Sequence, residues 1–550
     1  MVSERPDPGP FLDAMAAEGL DSLARAAFAR ALDSLASPDA VVAEGDIEPV
    51  EHLPALGDVT VSGDADDLID HTVVIKLNGG LGTSMGLERA KSLLEVRDGQ
   101  TFLDLIVAQA DRLAERRGHR PRLLFMNSFS TTADTSDYLA ARHPHLGPTD
   151  RLQFVQNKVP KVDAETLALP SWDGDPALAW CPPGHGDLYT ALVGSGTLQR
   201  LVDEGIRYAF VSNADNLGAT LDADLLGWFA GSGAPFAMEV TRRTEADRKG
   251  GHLARRRADG RLVLRESAQT AAGDADAFSD IDRHRYFNTN NLWLDLEQLA
   301  EALLADRGTD DAPAILPLPV MRNHKPIDPR DPSSRPVIQL ETAMGAAIEC
   351  FDDATAIVVD RSRFAPVKTT DDLFTLRSDA YEIRDDGSVG LVEARAGVPP
   401  TVDLDPAHHK LVDGLDELIP DDAPSLVDCV GLRIRGRWRI SADASFAGTV
   451  ALVGGGANDV GGSPVPLPAG RYVDETVTAE RVLRPGRTGT RRNGKRVPST
   501  SYDSSSVPRR SYSSLGSHSH SSITSSIFLT SRTAEMPKRS LMLMICRIRT

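Results

Sequence analysis

Cysteines, aromatic residues and long apolar runs are all scarce in this sequence of 550 residues. No stretch of about eighteen apolar residues occurs, and the N-terminus lacks the basic and apolar segments of a secretory signal. These absences predict a cytoplasmic protein that does not enter a membrane. Neither a disulfide framework nor a cysteine metal site is expected, because the cysteines are far apart, and we interpret them as reduced. They are Cys181, Cys350, Cys429 and Cys546.

Positive charge is also scarce, except at the C-terminal end. The formal net charge is -19, but residues 481–550 contain 14 lysines and arginines against two acidic residues, so the rest of the chain carries -31. Such an acidic body repels nucleic acid, and it must bind phosphate ligands with a few placed cations and backbone amides. The charge pattern therefore predicts a small substrate and no nucleic-acid partner.

The order of apolar segments predicts an α/β protein with several domains. From residue 71 to about 375, short β-rich runs alternate with helical segments, which is typical of an open, largely parallel sheet with helices on both faces. Residues 1–70 are predicted to form an N-terminal helical extension, because apolar residues recur there at helical spacing. The predicted strands are His71–Leu77, Arg122–Met126, Tyr208–Val211, Phe236–Val240, Leu292–Leu294 and Ala356–Val359.

The pattern changes in residues 376–482, which we predict to be a separate C-terminal domain. Its apolar residues recur every six positions, a spacing typical of the coils of a small parallel β-helix. An ordinary antiparallel sheet is the alternative, since four positions make a short repeat. The strand edge at the end of a β-helix would be a surface for self-association, so a homo-oligomer is one expected state. The four positions are Ile434, Ile440, Phe446 and Leu452.

From residue 483 onward the sequence changes into a tail rich in serine and arginine. Sixteen serines lie between Ser499 and Ser540. Such a segment cannot bury enough apolar surface to order itself, so we predict disorder over residues 483–550. A natural basic tail and an out-of-frame reading of the end of the gene both fit this composition.

A glycine-rich segment directly after the first predicted strand is the strongest chemical signal. It reads Lys76-Leu-Asn-Gly-Gly-Leu-Gly-Thr-Ser-Met-Gly, and Ala90-Lys-Ser follows shortly after it. Glycines let backbone amides approach a phosphate or a base closely, and a lysine a few residues later can reach the charge. The segment is neither a Walker A loop nor a dinucleotide fingerprint, because it lacks Gly-Lys-Ser/Thr and the third glycine. On glycines alone, a nucleotide site and a plain tight turn are equal alternatives.

Further motifs, in a fixed order, make the chain resemble the eukaryotic-type UDP-glucose pyrophosphorylases, nucleotidyltransferases that activate sugar phosphates. The resemblance covers residues 71 to about 375 strongly and 430–480 weakly. It implies a Rossmann-like nucleotidyltransferase domain that converts UTP and glucose 1-phosphate into UDP-glucose and pyrophosphate, with Mg²⁺ as cofactor. The motifs include Phe102-Leu-Asp-Leu, Met126-Asn-Ser-Phe, Pro182-Pro-Gly-His-Gly-Asp, Phe210-Val-Ser-Asn-Ala-Asp-Asn, Met238-Glu-Val-Thr, Phe287-Asn-Thr-Asn-Asn-Leu-Trp, Val337-Ile-Gln-Leu-Glu-Thr-Ala-Met-Gly and Arg361-Ser-Arg-Phe-Ala-Pro-Val-Lys.

The resemblance also implies roles for individual residues. Asp215 follows a predicted strand and is expected to hold Mg²⁺ against a phosphate. Lys91 and Lys368 are expected to stabilise the charge of the phosphates, which is the main demand of phosphoryl-group chemistry. Gln156 is expected to read the edge of uracil, and His185 to contact the sugar phosphate. The implied nucleotide contacts are Leu77, Asn78, Gly79, Gly80, Lys91, Gln156, Gly184, Asn213, Asp215 and Lys368, and the implied sugar-phosphate contacts are Gly80, His185 and Asn290.

One departure from the family pattern concerns the loop before Lys91. The family usually has Gly-Pro there, whereas this chain has Arg89-Ala90. The backbone path of the loop, and with it the reach of Lys91, are therefore open from the sequence. Arg89 is a candidate for an additional phosphate contact.

Three other functions are alternatives to the glucose enzyme. A pyrophosphorylase for N-acetylhexosamine 1-phosphate would be expected to carry a Gly-Asn-Gly type of turn, whereas this chain has Gly184-His-Gly. A broad-specificity sugar pyrophosphorylase shares the motifs. A non-catalytic UDP-sugar-binding protein need not retain the aspartate and both lysines together, which argues against it.

We expect the tail to be dispensable, because neither the family resemblance nor an apolar pattern extends into it. A variant that ends at Val482 should unfold at the same temperature as the full chain, as measured by circular dichroism. It should also release pyrophosphate from UTP at the same rate. A large loss of either property would mean that the tail contacts the body of the protein.

Overall fold

The chain is described by a computed structural model in which Leu483 is the last described residue. The Ser/Arg-rich tail beyond Leu483, including Cys546, therefore lies outside the described residues. No helix in the described segments combines the length and the apolar character that a membrane crossing needs. The described residues are 5–37, 41–59, 65–118, 120–172, 174–304, 315–385, 387–454 and 463–483.

Several of the α-helices begin at a residue whose side chain caps the first turn. The α-helices of the described residues are α1 (Gly9–Ala17), α2 (Ser22–Asp33), α3 (Ala65–Asp70), α4 (Phe102–Arg117), α5 (Thr132–Arg142), α6 (Leu188–Gly194), α7 (Thr197–Asp203), α8 (Ala223–Ser232), α9 (Ala275–Ser279), α10 (Leu296–Leu304), α11 (Thr370–Arg377), α12 (Pro406–His409), α13 (Val412–Leu418) and α14 (Ala479–Leu483). For example, α4 begins at a capping box, in which Thr101 and Asp104 satisfy each other's backbone N–H groups. It ends before Gly118, whose φ is 75°.

The β-strands fall into one large sheet and several small ones. The strands up to residue 181 are β1 (Ile47–Pro49), β2 (Thr72–Asn78), β3 (Glu95–Arg97), β4 (Gln100–Thr101), β5 (Arg122–Asn127), β6 (Gln153–Val155), β7 (Val159–Pro160), β8 (Val162–Asp163) and β9 (Trp180–Cys181). The next are β10 (Tyr208–Asn213), β11 (Phe236–Arg242), β12 (His252–Arg256), β13 (Leu262–Arg265), β14 (Tyr286–Asp295), β15 (Val320–Pro326), β16 (Pro336–Thr342) and β17 (Thr355–Val358). The last are β18 (Tyr381–Ile383), β19 (Val389–Leu391), β20 (Thr401–Asp403), β21 (Cys429–Arg435), β22 (Trp438–Ile440), β23 (Ala444–Val453), β24 (Val465–Leu467), β25 (Gly470–Val473) and β26 (Thr476–Thr478).

The large sheet has the strand order β1-β12-β14-β10-β2-β5-β6, with β11 and β17 attached beside β14 and β13 beside β12. Most of its strands run in one direction, and β1, β13 and β14 run in the other. The register of the parallel strands aligns Leu77 with Asn213 and Asn78 with Asn127. The C-terminal ends of β2, β5 and β10 therefore meet at one edge, where ligands bind in open α/β sheets. The mixed α/β fold with a mainly parallel central sheet is confirmed.

The central strand β2 contains an apolar run, Val73–Ile75, that does not alternate with polar residues. Val73 and Ile75 contact the core on one face of the sheet, and Val74 contacts the core on the other. A strand covered on both faces reads as a continuous apolar run instead of an alternating one. Even Lys76 on this strand is only 2% exposed.

The N-terminal segment is less uniform than the sequence predicts. α1 and α2 are present, and the rings of Phe11 and Phe28 lie 5.7 Å apart between them. However, β1 lies within the predicted helical extension of residues 1–70 and pairs with β12 of the large sheet. A strand of three residues is too short to show a periodic pattern, so the sequence gives no indication of β1.

The strands from β20 to β26 pair in parallel, whereas β18 and β19 before them form an antiparallel pair. β21 pairs with β20 and β23, β26 and β25 pair with β23, and β22 pairs with β24. The four residues predicted at six-residue spacing are all buried, with exposures of 0% or 1%. The antiparallel alternative is therefore wrong for these strands.

Candidate active site

All twelve residues implied as site residues line one cleft. The cleft has a volume of about 950 Å³, including the part that is open to solvent. It lies at the edge of the large sheet where β2 and β10 end. The twelve residues are Leu77, Asn78, Gly79, Gly80, Lys91, Gln156, Gly184, His185, Asn213, Asp215, Asn290 and Lys368. The structure brings these residues together, whereas their roles toward ligands stay predictions.

A carboxylate between two lysines is the main charged feature of the cleft. The Nζ atoms of Lys91 and Lys368 lie 2.8 Å and 3.1 Å from Oδ2 of Asp215. Burial by itself raises the pKa of Asp215, but the nearby charges and hydrogen bonds of the two lysines bring it below its ordinary value. The aspartate is therefore ionised at neutral pH, and the three groups together carry one net positive charge.

Lys91 reaches this cluster despite the Arg89-Ala90 sequence that precedes it. Its backbone N–H donates to the carbonyl of Gly80 at 3.0 Å, which holds the end of the glycine-rich loop. Its ammonium group also donates to the carbonyl of Val367, in the segment that carries Lys368. Arg89 is exposed and is not among the described residues that line the cleft. A phosphate contact of Arg89 stays a prediction.

The glycine-rich loop lies directly against the predicted base-reading residue. A Cβ atom on Gly79 would lie 2.5 Å from Nε2 of Gln156, so only glycine lets the two groups approach this closely. The backbone N–H of Gln156 donates to the carbonyl of Asn127 at 2.7 Å, which ties the residue to the end of β5. In the described part of the chain, the side-chain amide of Gln156 makes no hydrogen bond, so it can pair with a ligand.

The turn that carries His185 is fixed by a close backbone approach. Gly184 has a φ of 82°, and a Cβ atom there would clash with the carbonyl oxygen of Thr342. The backbone N–H of Met344 donates to Nδ1 of His185 at 3.1 Å, which leaves the ring proton on Nε2. Burial, and secondly the charge of Lys368, lower the pKa of His185 to about 4. The imidazole is therefore a neutral hydrogen-bond donor at physiological pH.

The asparagines of the cleft differ in how their amides are used. Asn290 has an unusual φ of 58°, and its side-chain oxygen accepts a hydrogen bond from Nδ2 of Asn288 at 3.0 Å. Its own NH₂ group is thereby left to face a ligand. The amide of Asn78 instead donates to Asn127 and Thr135 at 2.8 Å and 2.9 Å. Asn78 thus joins β2 to its neighbours, and a direct nucleotide contact through its NH₂ group is not supported.

Sequence reasoning missed Asp187, which connects two parts of the cleft. Its carboxylate accepts hydrogen bonds from the backbone N–H of Asn157 at 2.6 Å and from the Asn157 side chain at 2.9 Å. This joins the turn of His185 to the residue after Gln156. Burial raises the pKa of Asp187 to about 7, although both hydrogen bonds oppose the shift. Its place in the Pro182-Pro-Gly-His-Gly-Asp motif was the available signal. Asp187 itself does not line the cleft, whereas four residues that do were also missed: Ser92, Met126, Pro182 and Ala214.

An open α/β sheet that presents a glycine-rich loop, two lysines and a carboxylate at its C-terminal edge defines a nucleotidyltransferase. The family model described as UTP–glucose-1-phosphate uridylyltransferase matches residues 28–446. The chain belongs to this family.

Individual relatives agree with this assignment. The UTP–glucose-1-phosphate uridylyltransferase of Saccharomyces cerevisiae is 40% identical over 408 residues, which are 74% of this chain and 77% of that protein. The enzyme of that name from Solanum tuberosum is 38% identical over 387 residues, 70% of this chain and 77% of that protein. A mutant UDP-glucose pyrophosphorylase from Leishmania major, solved in complex with UDP-glucose, has 43% identity and a TM-score of 0.78, covering 86% of this chain and 99% of that one.

We expect Gly184→Ala to lower turnover by more than the strain of a positive φ alone would. The new Cβ atom must displace the backbone of Thr342 and with it the turn of His185, and a displacement of about 1 Å near reacting groups can cost on the order of 10² in turnover. Gly205→Ala is the matched control, because Gly205 has a similar φ of 78° but a Cβ atom added there would meet no atom within 4 Å. Turnover and urea unfolding should be measured for both. Equal turnover in the two variants would contradict the steric argument.

Proposed function

We propose that this chain transfers the uridylyl group of UTP to the phosphate of glucose 1-phosphate, which gives UDP-glucose and releases pyrophosphate. The observation that carries this proposal is the Lys91–Asp215–Lys368 cluster, which faces the glycine-rich loop in one cleft. The UDP-glucose complex of the relative from Leishmania major supports the choice of ligand.

In the proposed reaction, a phosphate oxygen of glucose 1-phosphate attacks the α-phosphorus of UTP. The new P–O bond forms as the bond from the α-phosphorus to the oxygen that bridges the α- and β-phosphates breaks, and that electron pair leaves with pyrophosphate. Two anions must approach each other, and charge develops on the leaving group. The main demand is therefore electrostatic positioning, with little need for proton transfer. Lys91 and Lys368 supply the positive charge from two different segments.

The remaining cleft residues orient the two substrates. Gln156 presents an unpaired amide that can read the edge of uracil, and Gly79 and Gly80 let the nucleotide approach the backbone. His185 is neutral and donates from Nε2, which suits a contact with the sugar phosphate. Asn290 contributes the NH₂ group of an amide whose oxygen accepts a hydrogen bond from Asn288.

The cleft also fits Mg²⁺, which we propose as the cofactor. Asp215 is the sole carboxylate among the described residues that line the cleft, and no group of three or more histidine, cysteine or acidic side chains suited to a metal occurs in the described segments. This donor set suits Mg²⁺, which usually binds through one or two carboxylates plus substrate phosphates. Oδ1 of Asp215 has only a 3.5 Å contact with Lys368, so this oxygen would hold the ion. The bound cation would neutralise charge on the phosphate oxygens.

We further propose that the C-terminal strands coil into a small parallel β-helix. The uniformly parallel pairing of β20, β21, β23 and β26 supports this, as does the burial of Ile434, Ile440, Phe446 and Leu452 at six-residue spacing.

A cytoplasmic location and assembly into a homo-oligomer stay predictions.

Pyrophosphate release is the direct test of the proposed function. The protein should be incubated with UTP and Mg²⁺ and, in separate reactions, with glucose 1-phosphate, galactose 1-phosphate and N-acetylglucosamine 1-phosphate. Rapid release with glucose 1-phosphate and little with the others is expected. Comparable rates with all three sugars would indicate a broad-specificity enzyme, and a preference for the N-acetyl sugar would indicate the hexosamine enzyme. UDP-glucose binding without any release would indicate a non-catalytic binding protein.

Asp215→Asn should retain the fold and lose most of the activity. The amide keeps the shape and most hydrogen bonds but removes the charge that attracts a hard cation and both lysines. Turnover should fall by on the order of 10² to 10³, the usual effect of removing one preorganised electrostatic group. Raising the Mg²⁺ concentration should restore part of the activity, because the substrate phosphates still supply ligands. Near-normal turnover at low Mg²⁺ would contradict the assignment.

A further inference from the structure

A buried ion pair beneath the cleft is not used by the proposed chemistry. Glu239 on β11 has no exposed surface, and its carboxylate accepts hydrogen bonds from Arg363 at 2.8 Å and 2.7 Å. It also accepts from Nε1 of Trp293 at 3.0 Å and from Nδ2 of Asn291 at 3.0 Å. Removing two charges from water is costly, so such a pair needs these additional partners to be tolerated.

Arg363 belongs to the segment that carries Lys368, and hydrogen bonds connect this segment to the turn of Asp215. Arg363 lies five residues before Lys368, and its carbonyl accepts a hydrogen bond from Nδ2 of Asn216 at 3.0 Å. Oδ1 of Asn216 accepts in turn from the backbone N–H of Ala365 at 2.9 Å. Because Asn216 directly follows Asp215, the network joins the turn of the aspartate to the segment of the lysine.

Hydrogen bonds also connect Glu239 to the stretch of β14 that contains Asn290. The strands β11 and β14 change register between Glu239 and Val240. The backbone carbonyl of Glu239 accepts a hydrogen bond from the hydroxyl of Thr289 at 2.7 Å. Asn290 lies in this irregular stretch with a φ of 58°, a conformation that its surroundings must enforce.

We propose that Glu239 and Arg363 are positioning residues, which together set the relative placement of Asp215, Lys368 and Asn290. This inference rests on the proposed uridylyl transfer and adds to it two residues that do not line the cleft. The two residues connect three loops that arise from distant parts of the sequence, through the carboxylate of Glu239, which binds Asn291 next to Asn290, and through the backbone carbonyls of Glu239 and Arg363. The planar fork of arginine is required, because its N–H groups hold both carboxylate oxygens and the carbonyl of Thr220 at 2.9 Å.

Arg363→Lys is the first test, since it keeps the charge pair while losing the fork geometry. Turnover should fall by on the order of 10², as expected for displaced catalytic groups, and KM for UTP should stay near its wild-type value. The uracil-reading side of the cleft is formed elsewhere, by Gln156 after β6 and by the glycine-rich loop after β2. Wild-type turnover in a folded Arg363→Lys variant would overturn the proposal.

Arg265→Lys is the matched control. Arg265 is fully buried and donates to Glu44 at 2.6 Å and to Asp274 at 3.0 Å, and none of these residues lines the cleft. Both lysine variants should lower the urea concentration at the unfolding midpoint, whereas only Arg363→Lys should lower turnover. A parallel loss of turnover in both variants would mean that general destabilisation explains the effect, and would overturn the positioning role.

A double variant covers the case in which the lysine variant fails to fold. Glu239→Gln combined with Arg363→Gln removes both charges of the pair, so neither residue is left as an unpaired buried charge, and the variant should fold and still turn over slowly. Recovery of wild-type turnover would mean that the pair only compensates charge, which would overturn the proposal.

A measurement without turnover separates this proposal from the proposed function. Hydrogen–deuterium exchange should be faster in peptides covering residues 286–291 and 361–368 of Arg363→Lys and of the double variant, and unchanged there in Arg265→Lys. Unchanged exchange in whichever Arg363 variant folds would overturn the positioning role, even if the wild-type protein transfers uridylyl groups. An inactive wild type with the expected exchange pattern would instead refute only the proposed function.

Discussion

Asp215 holds ammonium groups from two other segments of the chain, and the geometry of the cleft depends on this contact. Like charges on Lys91 and Lys368 would repel each other if no carboxylate lay between them. Lys91 and Asp215 are largely shielded from water, so their attraction is stronger than at an exposed surface, whereas the side chain of Lys368 is 56% exposed. The cluster therefore keeps two cations in place before any phosphate arrives.

This local concentration of positive charge matters because the rest of the protein is acidic. With a formal net charge of -19, the chain does not attract a triphosphate by its overall field. The cleft instead offers two lysines and the backbone amides of a glycine-rich loop, at the edge where three parallel strands end. His185 is neutral for a related reason, because burial and the nearby charge of Lys368 lower its pKa. The neutral imidazole keeps one N–H donor. Within the cleft, positive charge is thus placed where the phosphates are expected.

Several elements could be predicted because their signals are local. The run before Asn78 is apolar since β2 is covered on both faces, and Thr101 begins a helix through a capping box that is visible in the sequence. The three residues of β1 could not be predicted, since their place in the sheet comes from pairing with β12. Glu239 did carry a signal, because a carboxylate within an apolar strand requires a buried partner. The sequence contained no indication that this partner was Arg363, 124 positions away.

The sequence by itself determined the class of fold, the family and the identity of twelve of the sixteen residues that line the cleft. Periodicity, turn chemistry and ordered motifs are properties of short segments, so they can be recognised without knowledge of distant contacts. Only the tertiary structure decided which of these segments meet. Lys91 and Lys368 are separated from Asp215 by 124 and 153 positions, and their contact arises from the parallel register of β2 and β10 and from the docking of the Lys368 segment on the turn after β10. The tertiary structure also decided that His185 is neutral, that the amide of Asn78 is used within the sheet, and that the amide of Gln156 is open to a ligand. Each of these states depends on neighbouring residues that no local sequence pattern specifies.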